Sequence, residues 1–167
     1  MSALKIGDSF PEDVVFGWVP PTPDNKDIQS CGVPTKYPAS SQFKNKKVVL
    51  VSLPGAFTPT CQVSHVPGYI SKVSELKAKG VDQVVVIASN DPWVMSAWGK
   101  ANNIHDEFII FASDEGCKFS KSIDWMAGPD RTGRYAIVVD HGKVIYAEKE
   151  PAGGVTVSGA DAILPKL

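Results

Sequence analysis

Four stretches of the chain are apolar almost without interruption and rich in β-branched residues: 47–53 (KVVLVSL), 83–89 (QVVVIAS), 107–112 (EFIIFA) and 135–140 (YAIVVD). Short continuous runs of this kind suit central strands covered on both faces. The fourth is joined through His141-Gly142 to 143–149 (KVIYAEK), and two strand-like runs across so short a turn predict a hairpin. Helical patterns are predicted between the strands, over 59–79, 92–103, 119–125 and 159–166. This alternation predicts an α/β layer fold whose central strands are parallel and whose hairpin is antiparallel. The 167 residues suit one domain, 1–167, long enough to bury a sizeable core. No internal repeat or low-complexity linker interrupts it. Residues 20–41 are predicted irregular, too polar and broken for core, although they contain Cys31.

Composition narrows the function by exclusion. Hydrophobic residues make up 43% and charged residues 21% of the chain, as in ordinary globular proteins. Lys+Arg of 17 against Asp+Glu of 18 leaves a net charge of −1 without a basic stripe, which argues against nucleic acid as partner. The start, MSALKIGDSF, lacks the apolar core of a signal peptide, and no run reaches membrane-spanning length. An intracellular protein with no membrane partner is therefore expected. The odd set Cys31, Cys61 and Cys117 does not describe a disulfide framework. There is no C-x-x-C pair, His65, His105 and His141 are too scattered for a zinc cage, and no dinucleotide motif is found. No metal or cofactor is expected, and the cysteine chemistry should be redox or nucleophilic.

The segment with the most chemistry follows the first apolar run: Leu53 to Cys61, LPGAFTPTC. Pro54-Gly55 supplies a turn out of the sheet. Thr58 is a favoured N-cap residue, and Pro59 then stands at the first helical position, where a missing N–H costs nothing. Cys61 falls third in the helix, beside unpaired N–H groups and the positive end of the helix dipole. An ordinary thiol is only roughly 3% thiolate at neutral pH, and a helix N-terminus favours the ionised form. The Thr58 hydroxyl is near enough to donate to sulfur or to a bound oxygen. A strand entering a helix here also puts the site at the carboxyl end of the sheet, where α/β folds bind ligands. A lone cysteine after a helix cap can equally be a small buried hydrophobe.

Pro54, Thr58 and Cys61 match the P-x-x-x-T-x-x-C signature of the peroxiredoxins. The longer segment PGAFTPTCQVSHVPGYI resembles the peroxiredoxin-5 type, in particular its fungal alkyl-hydroperoxide-reductase-like members. KAKGVDQVVVIASNDPWVMSAWGKA and GRYAIVVDHGKVIYAEKE are similar to the same family in the same order, so the resemblance runs from IGDSFP to the final helix. It implies a thioredoxin-like fold, with a central mixed sheet and helices on both faces, and a thiol peroxidase acting on hydrogen peroxide and alkyl hydroperoxides. By position it makes Cys61 the peroxidatic cysteine, which becomes a sulfenic acid. Thr58 would bond the reacting oxygens, Pro54 would screen the site from water, and Arg134 would be the catalytic arginine, stabilising thiolate and leaving oxygen. Cys31 would resolve the sulfenic acid as a disulfide, by likeness to a loop cysteine that acts across the dimer in fungal relatives. Thioredoxin would recycle the enzyme, and a homodimer would form beside the active-site turn, through AFTP and NDPW. The alternative function is a non-enzymatic thiol sensor that relays peroxide oxidation to a partner.

Other residues carry blander expectations. Arg131, three residues before Arg134, competes for the role of catalytic arginine but reads more readily as a solvated loop charge. His65, four residues after Cys61, could make a Cys-His hydrolase pair, but no Asn or Asp orienter is evident, so it is expected to line the pocket mouth or to be exposed. Phe57, Trp93 and Trp98 are expected in ordinary packing or in a collar or dimer surface. Cys117 is expected to be structural. Cytosol is the expected location, with the terminal Pro165-Lys166-Leu167 resembling a peroxisomal S-K-L address with Pro in place of Ser.

Overall fold

Strand pairing in the computed structural model, which describes residues 2–167, builds one seven-stranded mixed sheet. Along the chain the elements are β1 (Phe16–Trp18), β2 (Thr35–Tyr37), α1 (Ala39–Phe43), β3 (Lys47–Ser52), α2 (Val66–Ser71), α3 (Val73–Ala78), β4 (Gln83–Ala88) and α4 (Pro92–Ala101). They continue with β5 (Ile109–Ser113), α5 (Lys118–Ser122), β6 (Tyr135–Asp140), β7 (Lys143–Lys149) and α6 (Ala160–Ile163). The spatial order is β2-β1-β5-β4-β3-β6-β7. β3, β4 and β5 are parallel, and the β6–β7 hairpin joins antiparallel to β3. The expected α/β architecture with a mixed sheet is what forms.

The continuous apolar runs are explained by burial on both faces. Val49, Val51, Val84, Val86 and Phe111 point to one side, where Tyr69, Leu76, Met95, Trp98 and Ile163 cover them. Val48, Leu50, Val85, Ile87 and Ile137 point to the other, against Phe10, Phe16, Phe43, Phe119 and Ile123. Successive residues of a strand face opposite sides, so a strand with a core on each side has no polar position to spare.

The structure corrects two expectations. Residues 20–41 are not wholly irregular or outside the core. β2 pairs with β1 at the sheet edge, Tyr37 and Ala39 are buried, and the Trp18 and Tyr37 rings meet edge to face at 5.7 Å. Three-residue edge strands with exposed Thr35 and Lys36 carry too little pattern to be read from sequence. The helix expected over 59–79 is also not continuous. Residues 59–60 begin a helix, a π-turn covers Cys61–His65, α2 follows, and the chain breaks at Lys72 (φ −105°, ψ 12°) before α3. In the π-turn the Val66 N–H bonds the Cys61 carbonyl, five residues back. This wider turn just precedes Pro67, whose ring would clash with a carbonyl four residues back in a regular helix.

Register decides what meets at the carboxyl end of β3. Ser52 pairs with Tyr135, and Tyr135 pairs with Lys149. The turn after β3, the residue before β6 (Arg134) and the residue after β7 (Glu150) are thus side by side; the Glu150 N–H donates to the Arg134 carbonyl at 2.9 Å. Gly133 fixes the approach to β6. Its N–H bonds the Trp125 carbonyl at 2.9 Å, and a Cβ there would lie 2.5 Å from that oxygen. Gly133→Ala must therefore push two backbone segments apart, with an expected cost of about 1–3 kcal/mol. A urea denaturation midpoint equal to that of the unsubstituted chain would show that the backbone yields freely there.

Candidate active site

Backbone and side-chain bonds fix the turn after β3 at several points. The Leu53 N–H donates to the Ile87 carbonyl at 3.0 Å, and the Leu53 carbonyl accepts from Thr132 Oγ1 at 2.6 Å. Ala56 N–H donates to Asn90 Oδ1 at 2.9 Å, which anchors the turn to the loop after β4. Phe57 takes φ +59°, an uncommon left-handed conformation for a large side chain. The Thr58 hydroxyl, expected to donate to sulfur or to a bound oxygen, gives its proton to the Gly55 carbonyl at 2.8 Å. Its oxygen keeps lone pairs to accept from a ligand. The Gln62 N–H reaches the Thr58 carbonyl at 2.9 Å, so the Thr60 and Cys61 amides stand ahead of the first intrahelical bond, as the cap reading requires.

Cys61 is fully buried. Arg134 Nη2 lies 3.4 Å from its Sγ, and Arg134 Nη1 lies 3.1 Å from His65 Nδ1. His65 Nε2 lies 2.8 Å from the Ser158 carbonyl. A carbonyl only accepts, so the Nε2 atom carries the proton and Nδ1 receives the Arg134 N–H. His65 is 1% exposed, which corrects the expectation of a residue at the pocket mouth. Burial above all holds its pKa down at about 4; the Arg134 charge lowers it too, while the Ser158 bond and Glu150 act in the opposite direction. The imidazole is therefore neutral and serves as an acceptor for the guanidinium. With its Nδ1 lone pair spent on arginine, it is not placed as a base for the thiol, against the Cys-His hydrolase pair.

The other expected residues are placed as follows. Pro54 and Thr58 are half-buried in the turn. Arg131 is exposed, as a loop charge should be, although its Nη1 lies only 3.6 Å from where a Cβ on Gly55 would be. Trp98 is core, packed on Phe111 and Phe57, whereas Phe57 and Trp93 are each about half exposed beside the turn. Cys117 is buried at the start of α5, where burial first and the Asp114 charge second push its thiol up. Cys31 is exposed, and all three cysteines are free. Its loop is tied to α4 on both sides: Lys100 Nζ donates to the Ser30 carbonyl at 2.8 Å and Trp93 Nε1 to the Gly32 carbonyl at 3.1 Å. Pro54, Thr58, Cys61 and Arg134 are thus assembled around one turn, and Cys31 stands apart in its own loop. Sequence reasoning missed Glu150, Ser158, Thr132 and Asn90, because their roles come from sheet register and loop return rather than local spacing. The four-residue interval from Cys61 to His65 was the one available signal for the histidine.

A sequence model described as Redoxin matches residues 5–164. The chain belongs to the redoxin family. Its relatives place it among the peroxiredoxins. It is 56% identical over 166 residues to "Peroxiredoxin Pen c 3" of Penicillium citrinum, with 99% of each chain covered. It is 48% identical to the "Putative peroxisomal peroxiredoxin" of Lipomyces kononenkoae, covering 96% of this chain and 99% of that one. Among solved structures, the reduced Prx3 of Vibrio vulnificus in complex with hydrogen peroxide superposes with a TM-score of 0.83 at 33% identity, over 98% of this chain and 99% of the other. The fold is accordingly the thioredoxin-like peroxiredoxin fold, and the protein is a thiol peroxidase by family.

The neutral, buried His65 makes stability pH-dependent with a defined sign. An unfolded histidine titrates near 6.5 and the folded one at about 4, so between those two values only the unfolded chain takes up the proton. The contribution is fully present above pH 6.5, declines as pH falls, and is lost below about 4; its full size is about 3 kcal/mol. Urea denaturation between pH 7 and 4 should give a smaller loss of stability in His65→Gln than in the unsubstituted chain. Equal losses would mean that His65 titrates normally in the folded state.

Proposed function

We propose that this peroxiredoxin reduces hydrogen peroxide and small alkyl hydroperoxides with Cys61 as the attacking thiolate. The observation that carries the reading is the Arg134 guanidinium 3.4 Å from Cys61 Sγ, above a turn whose Thr58 oxygen is free to accept. The thiolate attacks the terminal peroxide oxygen, the O–O bond breaks, and the remaining alkoxide or hydroxide takes a proton to leave as alcohol or water. Sulfur is oxidised by two electrons to a sulfenic acid. The Thr58 oxygen accepts the hydrogen bond of the incoming peroxide. Arg134 stabilises first the thiolate and then the charge growing on the leaving oxygen. Pro54, half-buried in the same turn, limits access of water.

The reading assigns Cys31 as the resolving thiol. It attacks the Cys61 sulfenic acid, water leaves, and a disulfide forms between two copies of the chain; thioredoxin then reduces it. Bridged cysteines need Cα atoms within about 7 Å, so a buried Cys61 must come out of its π-turn to meet an exposed Cys31. The bonds from Lys100 and Trp93 that hold the Cys31 loop lie near the surface, where water can replace them. A homodimer through the AFTP and NDPW segments suits the half-exposed Phe57 and Trp93. For location the reading keeps the cytosol, with the peroxisome as rival on the name of the Lipomyces relative. Among the described residues no helix is long and apolar enough to cross a membrane.

With thioredoxin, thioredoxin reductase and NADPH, sustained peroxide consumption is expected, abolished by Cys61→Ser. Arg134→Gln should cost about a hundredfold in the peroxide rate constant, as loss of one aimed donor does elsewhere. A single stoichiometric turnover despite a working reductant would instead leave a thiol sensor. On non-reducing gels, one equivalent of peroxide should yield a covalent dimer that Cys31→Ser and Cys61→Ser lose and Cys117→Ser keeps. Loss of that band in Cys117→Ser would transfer the resolving role to Cys117.

A further inference from the structure

Glu150, just past the end of β7, is a buried carboxylate that forms no ion pair among the described residues. Its charge is met by hydrogen bonds alone. Oε1 accepts from the backbone N–H of Thr156 (2.7 Å), Val157 (2.8 Å) and Ser158 (2.8 Å) and from Ser158 Oγ (2.7 Å). Oε2 accepts from Thr156 Oγ1 at 2.6 Å. Burial by itself would raise the carboxyl pKa, and the donors of Thr156, Ser158 and Val157 more than reverse this, holding it at about 2. The group stays ionised through the neutral range, and a buried charge is stable only with such a complete set of donors.

That cradle fixes a short return loop whose inward carbonyl belongs to Ser158. This one oxygen receives His65 Nε2 at 2.8 Å and the Tyr69 hydroxyl at 2.6 Å. Neither Glu150 nor Ser158 bonds the sulfur. The connection runs from Glu150 to Ser158, from the Ser158 carbonyl to His65, from His65 Nδ1 to Arg134 and from Arg134 to Cys61 Sγ. It closes on itself, because the Glu150 N–H also bonds the Arg134 carbonyl. If the Ser158 carbonyl shifts, His65 is released to put its proton on Nδ1. That N–H would then face the N–H of Arg134, two donors with no acceptor between them.

We propose that Glu150 is a positioning residue for the peroxide reaction: its carboxylate fixes the Ser158 carbonyl, which keeps His65 in the Nε2–H form and the Arg134 guanidinium aimed at Cys61. The inference rests on the reading of Cys61 as the reacting thiol. A carboxylate that only tied down a surface loop would affect stability and leave the histidine and the sulfur unchanged.

The test uses the full chain in a Cys31→Ser, Cys117→Ser background and compares Glu150→Ala, Glu150→Gln and Thr156→Val. Two readouts follow the path itself: the His65 tautomer from ¹⁵N chemical shifts, and the pH profile of Cys61 alkylation by iodoacetamide. Glu150→Ala is expected to mix the tautomers, displace the profile to higher pH and slow alkylation at pH 6 about tenfold, the scale of a positioning effect. Glu150→Gln, which keeps an oxygen for the three amides, should recover most of that loss. Thr156→Val removes one bond to the carboxylate and should slow alkylation about twofold. A folded Glu150→Ala in which either the tautomer or the profile is unchanged overturns the proposal, whatever its melting temperature. If that variant does not fold, Thr156→Val decides, and unsubstituted values for it overturn the proposal equally. Alkylation needs no peroxide, so a chain that fails to turn over peroxide would sink the proposed function and leave this comparison standing.

Discussion

Arg134 reaches a buried sulfur because the antiparallel register of β3 and β6 pairs Ser52 with Tyr135. One residue beyond that pair on each strand lie Leu53 and Arg134, so the arginine starts beside the turn that carries Cys61. The register is set by Val48, Leu50, Ile137 and Val139 on one face and Val49, Val51, Ala136 and Val138 on the other. Slipping it by one residue would exchange the two faces, and it would also move Arg134 away from the turn. Core packing and site geometry are thus set by a single constraint.

The magnitude of the interaction explains why so many groups hold the arginine. At 3.4 Å, with the effective dielectric typical of proteins, a guanidinium and a thiolate attract by about 5 kcal/mol. A retreat of about 2 Å would reduce this to about 3 kcal/mol. The penalty for taking a charged sulfur out of water is of the same order, several kcal/mol. Precision of placement therefore matters more here than the presence of a cation, and a long flexible arginine does not supply it alone. The neutral imidazole supplies part of it, since burial denies His65 the proton that would turn an acceptor into a second cation.

What the sequence revealed follows the same physics. β3, β4 and β6 were legible nearly to the residue, because strands buried on two faces admit almost only apolar side chains. β7, an edge strand with exposed Lys143 and Glu148, was legible from the hairpin turn before it. The turn was legible because Pro54, Thr58 and Pro59 have local backbone reasons to be there. β1 and β2 were not, since strands of three residues, the outer one with Thr35 and Lys36 in solvent, leave no period to read. Cys61 and Arg134 could be named from motif, but their meeting was a consequence of register. Glu150 and Ser158 gave no sign at all. Their partners are amides and carbonyls, which every residue has, and only the folded chain shows which ones converge.

Two of the three cysteines are buried, and the contrast between them shows what burial does without a cation. Cys117 lies beside Asp114, so desolvation and a neighbouring negative charge act together and keep its thiol protonated. Its backbone takes φ +56° after Gly116 at +66°, so it sits in a tight connection into α5 and not in an open helix terminus. Cys61 has the same lack of solvent, yet lies 3.4 Å from a guanidinium. Burial is common to both, and in the first case it silences the sulfur. In the second it excludes water from the space between a sulfur and a guanidinium, where electrostatic attraction is screened least. The two buried thiols are thus distinguished by the sign of the nearest charge, and for Cys61 that charge is Arg134, the residue before β6.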